Sequence, residues 1–322
     1  MPTLIDSSDW LDCFLKNGRD FGFKGDNAFY TGTYSSLKPE WAFSLDAPEW
    51  AFKPDLWSVV FLRGLTRISD DWNHKRIWEV GVGTGLNVMI LRKLTEGCHW
   101  FLSDYDARCV PLAEENLSRF PYTLDKSHGK APHTLHPLKG SWDLVTPPSD
   151  SEHEAPKVDV VFGCLPQVPA HIDRPTGDWI AHYYDPERYP KAHLNALGLG
   201  LVETLLVDAK KILRTGGQVV LNLSGRPGLD RLKSLFNKNG YRLRNLTGYY
   251  RPEGVIWTQG ISQHPGTSLA SLAALEKSGH KDFEFFADFE LWEPINAGEA
   301  EERRIAGEKV YHKIYVMAGT LA

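Results

Sequence analysis

The sequence has little of what marks secreted, membrane-spanning or nucleic-acid-binding chains. Its 322 residues include four cysteines without CxxC spacing, at Cys13, Cys98, Cys109 and Cys164. This pattern favours reduced thiols over a disulfide framework, and we expect a cytoplasmic protein. No apolar run approaches the ~18 residues of a membrane span, and no secretory signal is evident. The net charge of −5 gives no general attraction to nucleic acid or to an anionic membrane.

Metal-ligand patterns are also missing. The chain has 12 histidines, but no HExxH occurs, and His128, His133 and His136 have no carboxylate at ligand spacing. We therefore predict no metal site. Aromatic residues, in contrast, are plentiful, with 11 Trp, 12 Tyr and 15 Phe. They fit either a large core or a pocket for an organic cation, and the composition leaves both interpretations open.

The chain changes character near residue 73. Residues 21–54 show no sustained period, whereas residues 55–66 have the apolar spacing of a helix. We interpret residues 1–72 as an N-terminal cap or lid. From Arg76 onward, apolar strand segments alternate with amphipathic helices, which predicts a doubly wound, mainly parallel α/β sheet over residues 73–322. A long helix is predicted over residues 196–217, ending at glycines. In such a sheet, ligands bind at the carboxyl ends of the strands.

The strongest motif is Glu79-Val-Gly-Val-Gly-Thr-Gly85, between a predicted strand and a predicted helix. Gly81 and Gly83 allow a tight turn and close approach of a ligand. Asp104 ends the next predicted strand, about 20 residues on, which suits a ribose diol. Leu86 replaces the third glycine of a dinucleotide motif. Glu79 would lie poorly beside a pyrophosphate but is tolerable beside a sulfonium cation, so the motif favours S-adenosylmethionine.

These segments resemble motifs I and II of class I S-adenosylmethionine-dependent methyltransferases. The resemblance implies a Rossmann-like, doubly wound seven-stranded sheet with a reversed last strand. Residues 251–308 would then be a C-terminal insertion. It also implies that Glu79 lies near the methionine moiety of the donor and that Gly81 and Gly83 line the pocket floor. Asp104 would bind the ribose hydroxyls, and Asp143 would receive the adenine amino group.

A narrower resemblance starts at Gly163-Cys164-Leu-Pro166-Gln167. Methyltransferases acting on glutamine or adenine carry Asn-Pro-Pro-Tyr there, and this chain lacks the Asn and the Tyr. The GCLPQ element, the LGLGLVETLL segment and Ser224-Gly-Arg226-Pro-Gly228 are similar to the methyltransferase domain of methionine S-methyltransferases, over roughly residues 50–245. The large extra region of the plant enzymes is missing, so the compact bacterial form is the nearer match.

That resemblance implies methylation of the thioether sulfur of L-methionine, giving S-methylmethionine and S-adenosylhomocysteine on the route to dimethylsulfoniopropionate. A thioether sulfur carries no proton, so we predict no catalytic acid or base. S-adenosylmethionine is the expected methyl donor, with no metal. The residues predicted to bind the donor also include Cys164 and Trp57. Those predicted to bind substrate are Pro166, Gln167, Tyr183, Tyr184 and Arg226.

Two of these assignments stay open. Arg226 suits the substrate carboxylate, because its guanidinium binds bidentately, but it could equally fix its own loop. Gln167 could orient the substrate or cap the turn after its strand. The alternative functions are N-methylation of a small amine or of a protein glutamine, and a nucleoside-binding regulatory module. We expect L-methionine as the partner, no nucleic acid and no membrane, and leave a homodimer open.

Overall fold

The computed structural model describes residues 20–26, 29–36, 38–52, 56–119, 131–150, 154–167, 192–243, 255–259, 268–288, 293–308 and 310–322. The chain divides into two units, residues 1–154 and 155–322. Within the ranges just given, no helix is both long and apolar enough to cross a membrane. The predicted boundary between a cap of residues 1–72 and a domain of residues 73–322 stays a prediction.

The first unit begins with three antiparallel strands in a meander. These are β1 (Asp20–Asp26), β2 (Phe29–Ser36) and β3 (Lys38–Asp46). The sequence analysis found no sustained period here and missed all three strands. Gly22, Gly25 and Gly32 interrupt the alternation of apolar and polar residues, and glycine within a strand weakens the strand signal.

The rest of the first unit alternates strand and helix. Its elements are α1 (Leu56–Ile68), a 3-10 turn (Ser69–Trp72), β4 (Arg76–Val80), α2 (Leu86–Leu94), β5 (His99–Ser103), α3 (Cys109–Arg119) and β6 (Thr134–Pro137). Strand β5 lies between β4 and β6 and pairs in parallel with both. The carboxyl ends of these strands therefore point the same way, which brings the segments that follow β4, β5 and β6 to one edge.

The core of this unit is aromatic and β-branched, as the composition suggested. Trp78 and Trp100 are fully buried on adjacent parallel strands. The indole N–H of Trp78 donates to Oγ of Ser103 over 2.7 Å, so its one polar atom is satisfied. Its ring meets that of Trp142 edge to face at a centroid distance of 5.4 Å. Part of the aromatic excess is thus core, in agreement with the first of the two interpretations.

The second unit continues the alternation and ends in antiparallel strands. Its elements are β7 (Val158–Gly163), α4 (Ala192–Asn195), α5 (Gly200–Ala209), β8 (Leu213–Ser224), α6 (Leu229–Lys238), β9 (Tyr241–Leu243), β10 (Val255–Gln259), α7 (Ser268–Lys277), β11 (Phe285–Phe286), β12 (Pro294–Ile295), α8 (Ala297–Ile305) and β13 (Tyr311–Leu321).

Strand order confirms the predicted α/β fold class. Strand β7 pairs in parallel with β8, and β13 pairs antiparallel with β8, so the last strand is reversed as expected. On the other edge of β13, β9 pairs at its end and β10 along its first half. The insertion predicted over residues 251–308 therefore supplies further strands to β13, because β11 also pairs there.

The long helix predicted over residues 196–217 is wrong in length. Helix α5 ends at Ala209, and after one turn β8 begins at Leu213. The glycines taken as a helix end lie inside β8, where the register to β7 shifts between Val158 and Val160. Gly216 has a φ of +75° at this irregularity, a conformation that glycine adopts easily. A Gly-Gly pair marks a strand bulge as readily as a helix end.

Candidate functional site

In the first unit, the Gly81–Gly85 loop connects β4 to α2. Gly81 and Gly83 have φ values of +74° and +51°, in the region that favours glycine. The N–H groups of Gly81 and Val82 donate to the carbonyl oxygen of Ser103, over 2.9 and 3.0 Å. A Cβ built on Gly83 would have no atom within 4 Å. The loop is thus fixed to the end of β5 and leaves open space above Gly83.

Asp104 joins this loop to the segment after β5. Its Oδ2 accepts the backbone N–H of Gly83 over 2.9 Å, and its Oδ1 accepts that of Asp106, also over 2.9 Å. The thiol of Cys109 gives it a further hydrogen bond. Burial raises the pKa of Asp104, the largest effect, while the two backbone N–H groups act in the opposite direction. These three donors fill three of the roughly four acceptor sites of the carboxylate, which leaves one for a ribose hydroxyl.

Glu79 is buried at the end of β4, with 1% of its surface exposed. Its Oε1 accepts from Nδ2 of Asn87 on α2 over 2.7 Å. Its Oε2 has no hydrogen-bond partner among the residues described. Burial raises the pKa of Glu79 to about 8, which the Asn87 bond opposes and the charge of Asp104 reinforces. Asn87 was not predicted, although its position three residues after Thr84 put it on the first turn of the helix.

The segment that carries Asp143 is tied to the segment after β5. The backbone N–H of Trp142 donates to the carbonyl oxygen of Asp104 over 2.9 Å, and Oγ of Ser141 donates to that of Tyr105 over 2.5 Å. Asp143 itself is half-buried and forms a short bridge with Thr146. The segments that carry Gly83, Asp104 and Asp143 follow three parallel strands and therefore lie at the same edge of the first unit.

Asn116 on α3 was missed by the sequence analysis. This fully buried amide donates to the carbonyl oxygens of Thr84 and Asp46, over 3.0 and 2.9 Å, and accepts the backbone N–H of Asp46 over 2.7 Å. It links the glycine loop to the end of β3. Nothing in its sequence neighbourhood signalled this, because its partners are 32 and 70 residues away.

In the second unit, Gln167 fixes the segment after β7 onto β8. Its Nε2 donates to the carbonyl oxygen of Asn222 over 2.9 Å, and its Oε1 accepts the backbone N–H of Ser224, also over 2.9 Å. Of the two readings left open, the contacts favour the one in which Gln167 holds the turn. Nδ2 of Asn222 also donates to Sγ of Cys164 over 3.4 Å.

Arg226 lies just after β8 and bends back over it. Its Nε donates to Oγ of Ser224 over 2.6 Å, and its Nη2 donates to the carbonyl oxygen of Gln167 over 3.1 Å. The buried His312 lies nearby, with Nδ1 at 2.8 Å from the carbonyl oxygen of Lys313. Burial, the larger effect, and the positive charge of Arg226 together lower the pKa of His312 to about 3. His312 is therefore neutral at pH 7, with the proton on Nδ1.

The other predicted residues are less informative. Pro166 is half-buried after β7, and Trp57 is half-buried on the first turn of α1. Tyr183 and Tyr184 lie outside the described residues. Across the described ranges, no three His, Cys, Asp or Glu side chains are grouped to hold a metal ion.

Comparison with known proteins identifies relatives over most of the chain. Over 280 residues, 82% of this chain, it is 26% identical to "Methionine S-methyltransferase" of Zea mays and 25% identical to that of Arabidopsis thaliana. The chain is similar to methionine S-methyltransferases. The resemblance inferred from the sequence is thereby confirmed. The chain spans about a quarter of the length of these curated relatives, since the match covers 24% and 25% of them.

Comparisons with family models and with solved structures give less information about this chain. No family model matches the sequence. Among solved structures, a precorrin-6y C5,15-methyltransferase from Geobacter metallireducens is similar over 80% of this chain and 87% of that one, with 13% sequence identity and a TM-score of 0.38. The fold assignment rests on the strand order within each unit and not on that likeness.

Proposed function

We propose that this chain is an S-adenosylmethionine-dependent methyltransferase acting on the thioether sulfur of L-methionine. The observation that carries the proposal is the hydrogen bond from the Gly83 N–H to Asp104, which joins the two sequence motifs of a nucleoside site. The similarity to methionine S-methyltransferases supports the choice of acceptor. The products would be S-methylmethionine and S-adenosylhomocysteine, and a place on the route to dimethylsulfoniopropionate is part of the proposal.

The first unit fits the donor. Asp104 offers its remaining acceptor site to a ribose hydroxyl, and Gly83 leaves space for the ligand above the loop. Oε2 of Glu79, which accepts no hydrogen bond from the described residues, suits a cationic group. Asp143 is the proposed partner of the adenine amino group. When bound, S-adenosylmethionine supplies an electrophilic methyl group on a sulfonium.

The chain's own residues have a limited chemical task on the acceptor side. A thioether sulfur has no proton to remove, so the residues must orient it and exclude water. No base is needed, and His312 is buried and already holds its Nδ1 proton toward Lys313. Arg226 is the proposed partner of the substrate carboxylate, held from behind by Ser224 and by the backbone of Gln167. Tyr183 and Tyr184 are the other residues that we propose to bind the acceptor.

An acceptor panel tests the proposal directly. The purified chain is incubated with S-adenosylmethionine and L-methionine, other thioethers, amino acids with side-chain amines, or a glutamine peptide. Release of S-adenosylhomocysteine is measured together with product mass. Release with methionine and a product one methyl heavier is the expected result. Release with an amine or the peptide alone would overturn the thioether acceptor, and no release with any acceptor would overturn the enzyme.

A further inference from the structure

The Glu79 carboxyl group is incompletely partnered in a buried place. One oxygen, Oε1, is held by the side-chain amide of Asn87 over 2.7 Å. The other, Oε2, is buried and accepts no hydrogen bond within the described ranges. A buried carboxylate needs a counter-charge or several donors to remain ionised, because burial removes its water. The two oxygens of an ionised carboxylate offer about four acceptor sites, and here one amide donor fills one of them.

Among the described residues, the groups that shift the pKa of Glu79 do not supply the missing partner, because the Asn87 amide is neutral and the Asp104 carboxylate is negative. Asp104 follows the neighbouring strand β5 and is half-buried, but Glu79 is fully buried, so the repulsion between the two carboxylates is screened less than at the surface. Burial, the larger effect, and this repulsion raise the pKa of Glu79 to about 8, so the neutral form of the carboxyl group is favoured at pH 7 when no cation lies beside it.

We propose that Glu79 and Asn87 form a site where the cation of the methyl donor replaces a proton. The inference rests on the proposed function, because it takes S-adenosylmethionine as the ligand. When the cation enters, the O–H bond of the carboxyl group breaks, the electron pair stays on oxygen and the proton passes to the solvent. No electron is transferred. Asn87 is a positioning residue here, because its bond to Oε1 leaves Oε2 for the cation.

Two cations of the donor have the required chemistry, the sulfonium and the α-ammonium. They have different consequences after methyl transfer. The sulfonium becomes a neutral thioether in S-adenosylhomocysteine, so Glu79 facing it would take back a proton and favour product release. The α-ammonium is unchanged by the reaction, so Glu79 facing that group would stay ionised with product bound. The protons released on binding S-adenosylmethionine, compared with those released on binding S-adenosylhomocysteine, distinguish these cases.

Isothermal titration calorimetry in two buffers of different ionisation enthalpy measures the protons released on binding. The wild-type chain, Glu79→Gln and Glu115→Gln are compared at pH 7 with S-adenosylmethionine. Glu115 is an exposed acid on α3 and serves as the matched control. We expect wild type and Glu115→Gln to release more protons than Glu79→Gln at pH 7, by up to about one proton per ligand bound, with the difference shrinking as the pH rises above the pKa of Glu79. Subtracting the proton release of Glu79→Gln from that of wild type removes the contribution of protons that the ligand itself releases.

The outcomes separate the inference from the proposed function. Binding with equal proton release in wild type and Glu79→Gln would overturn the inference and leave the methyltransferase standing. No binding by wild type would overturn both. Release with S-adenosylmethionine but not with S-adenosylhomocysteine would assign the sulfonium, and equal release would assign the α-ammonium.

A second measurement needs no variant. Infrared difference spectroscopy of the wild-type chain, recorded with and without S-adenosylmethionine, reports on protonated carboxyl groups. Loss of a carboxylic acid C=O band and gain of a carboxylate band on binding is the expected result. An unchanged carboxyl region with donor bound would overturn the inference even if Glu79→Gln failed to fold.

Discussion

The backbone N–H of Gly83 donates to Oδ2 of Asp104 over 2.9 Å, across 21 residues of sequence. This bond joins the loop after β4 to the segment after β5, so the two motifs of the proposed donor site share one rigid contact. The same carboxylate accepts from Asp106 through its other oxygen. Asp104 therefore shapes the loop as well as offering lone pairs to a ligand, and replacing it affects both roles.

Replacement of Asp104 by Asn tests the proposed ribose contact. The shape of the side chain is kept, but one acceptor oxygen and the charge are lost. We expect S-adenosylmethionine affinity to fall by about 1.5–3 kcal/mol, the range for hydrogen bonds to charged groups. Calorimetry measures the affinity, with Glu115→Gln as an exposed control. Unchanged affinity in Asp104→Asn, with the folded state intact by circular dichroism, would remove Asp104 from the donor site.

Gly85 and Gly83 form a matched pair for the glycine loop. A Cβ on Gly85 would lie 3.0 Å from the Cβ of Ala113 on α3, whereas one on Gly83 would meet nothing within 4 Å. Both have positive φ, which costs a non-glycine residue about 1–2 kcal/mol. We expect Gly85→Ala to lower the free energy of unfolding by clearly more than Gly83→Ala, and Gly83→Ala to weaken donor binding. Gly216→Ala, at an open positive-φ site in β8, controls for φ alone.

One outcome of the stability measurement would contradict the expected difference between Gly85→Ala and Gly83→Ala. Urea unfolding of the three alanine variants gives their free energies, and equal losses would mean that α3 moves away from the loop without cost. In that case the close approach of Gly85 to Ala113 would not fix the position of the helix.

Arg226→Ala tests the acceptor side. Loss of a charge-assisted carboxylate contact of about 1.5–3 kcal/mol corresponds to a KM for methionine raised about 10- to 150-fold. The KM for S-adenosylmethionine should change much less. Arg214→Ala, which removes an exposed arginine paired with Asp159 on the same unit, is the control. Equal changes in both KM values would reduce Arg226 to a residue that fixes its loop through Ser224 and Gln167.

The raised pKa of Glu79 predicts how stability depends on pH. Because the folded pKa is about 8 and the ordinary value is 4.5, the donor-free folded state binds more protons than the unfolded state between these values. The contribution of Glu79 to the free energy of unfolding should therefore fall as the pH rises from about 4.5 through 8, and level off at higher pH. Glu79→Gln should flatten this decline. Urea titrations at pH 5, 7 and 9 measure it, and parallel profiles for wild type and variant would contradict the assignment.

Much of the fold and of the donor site could be predicted because the signals are local. The Glu79–Gly85 motif lies between an apolar strand and a helix, and Asp104 ends the next strand, so their shared edge followed from parallel pairing. The three N-terminal strands were missed because glycines interrupt their alternation. The helix before β8 was extended too far because Gly216 and Gly217 belong to a strand irregularity that only pairing with β7 reveals.

By itself, the sequence determined the alternation of strands and helices from β4 to β8, the glycine loop and the placing of Asp104 after the next strand. Only the tertiary structure decided the partners of buried polar groups. The amide of Asn116 reaches Thr84 and Asp46, that of Gln167 holds β8, and that of Asn87 holds Glu79. The physical reason is that a buried polar group takes whichever donor or acceptor the packed elements bring within about 3 Å. Such contacts join residues that are distant in sequence, so a local sequence pattern does not predict them.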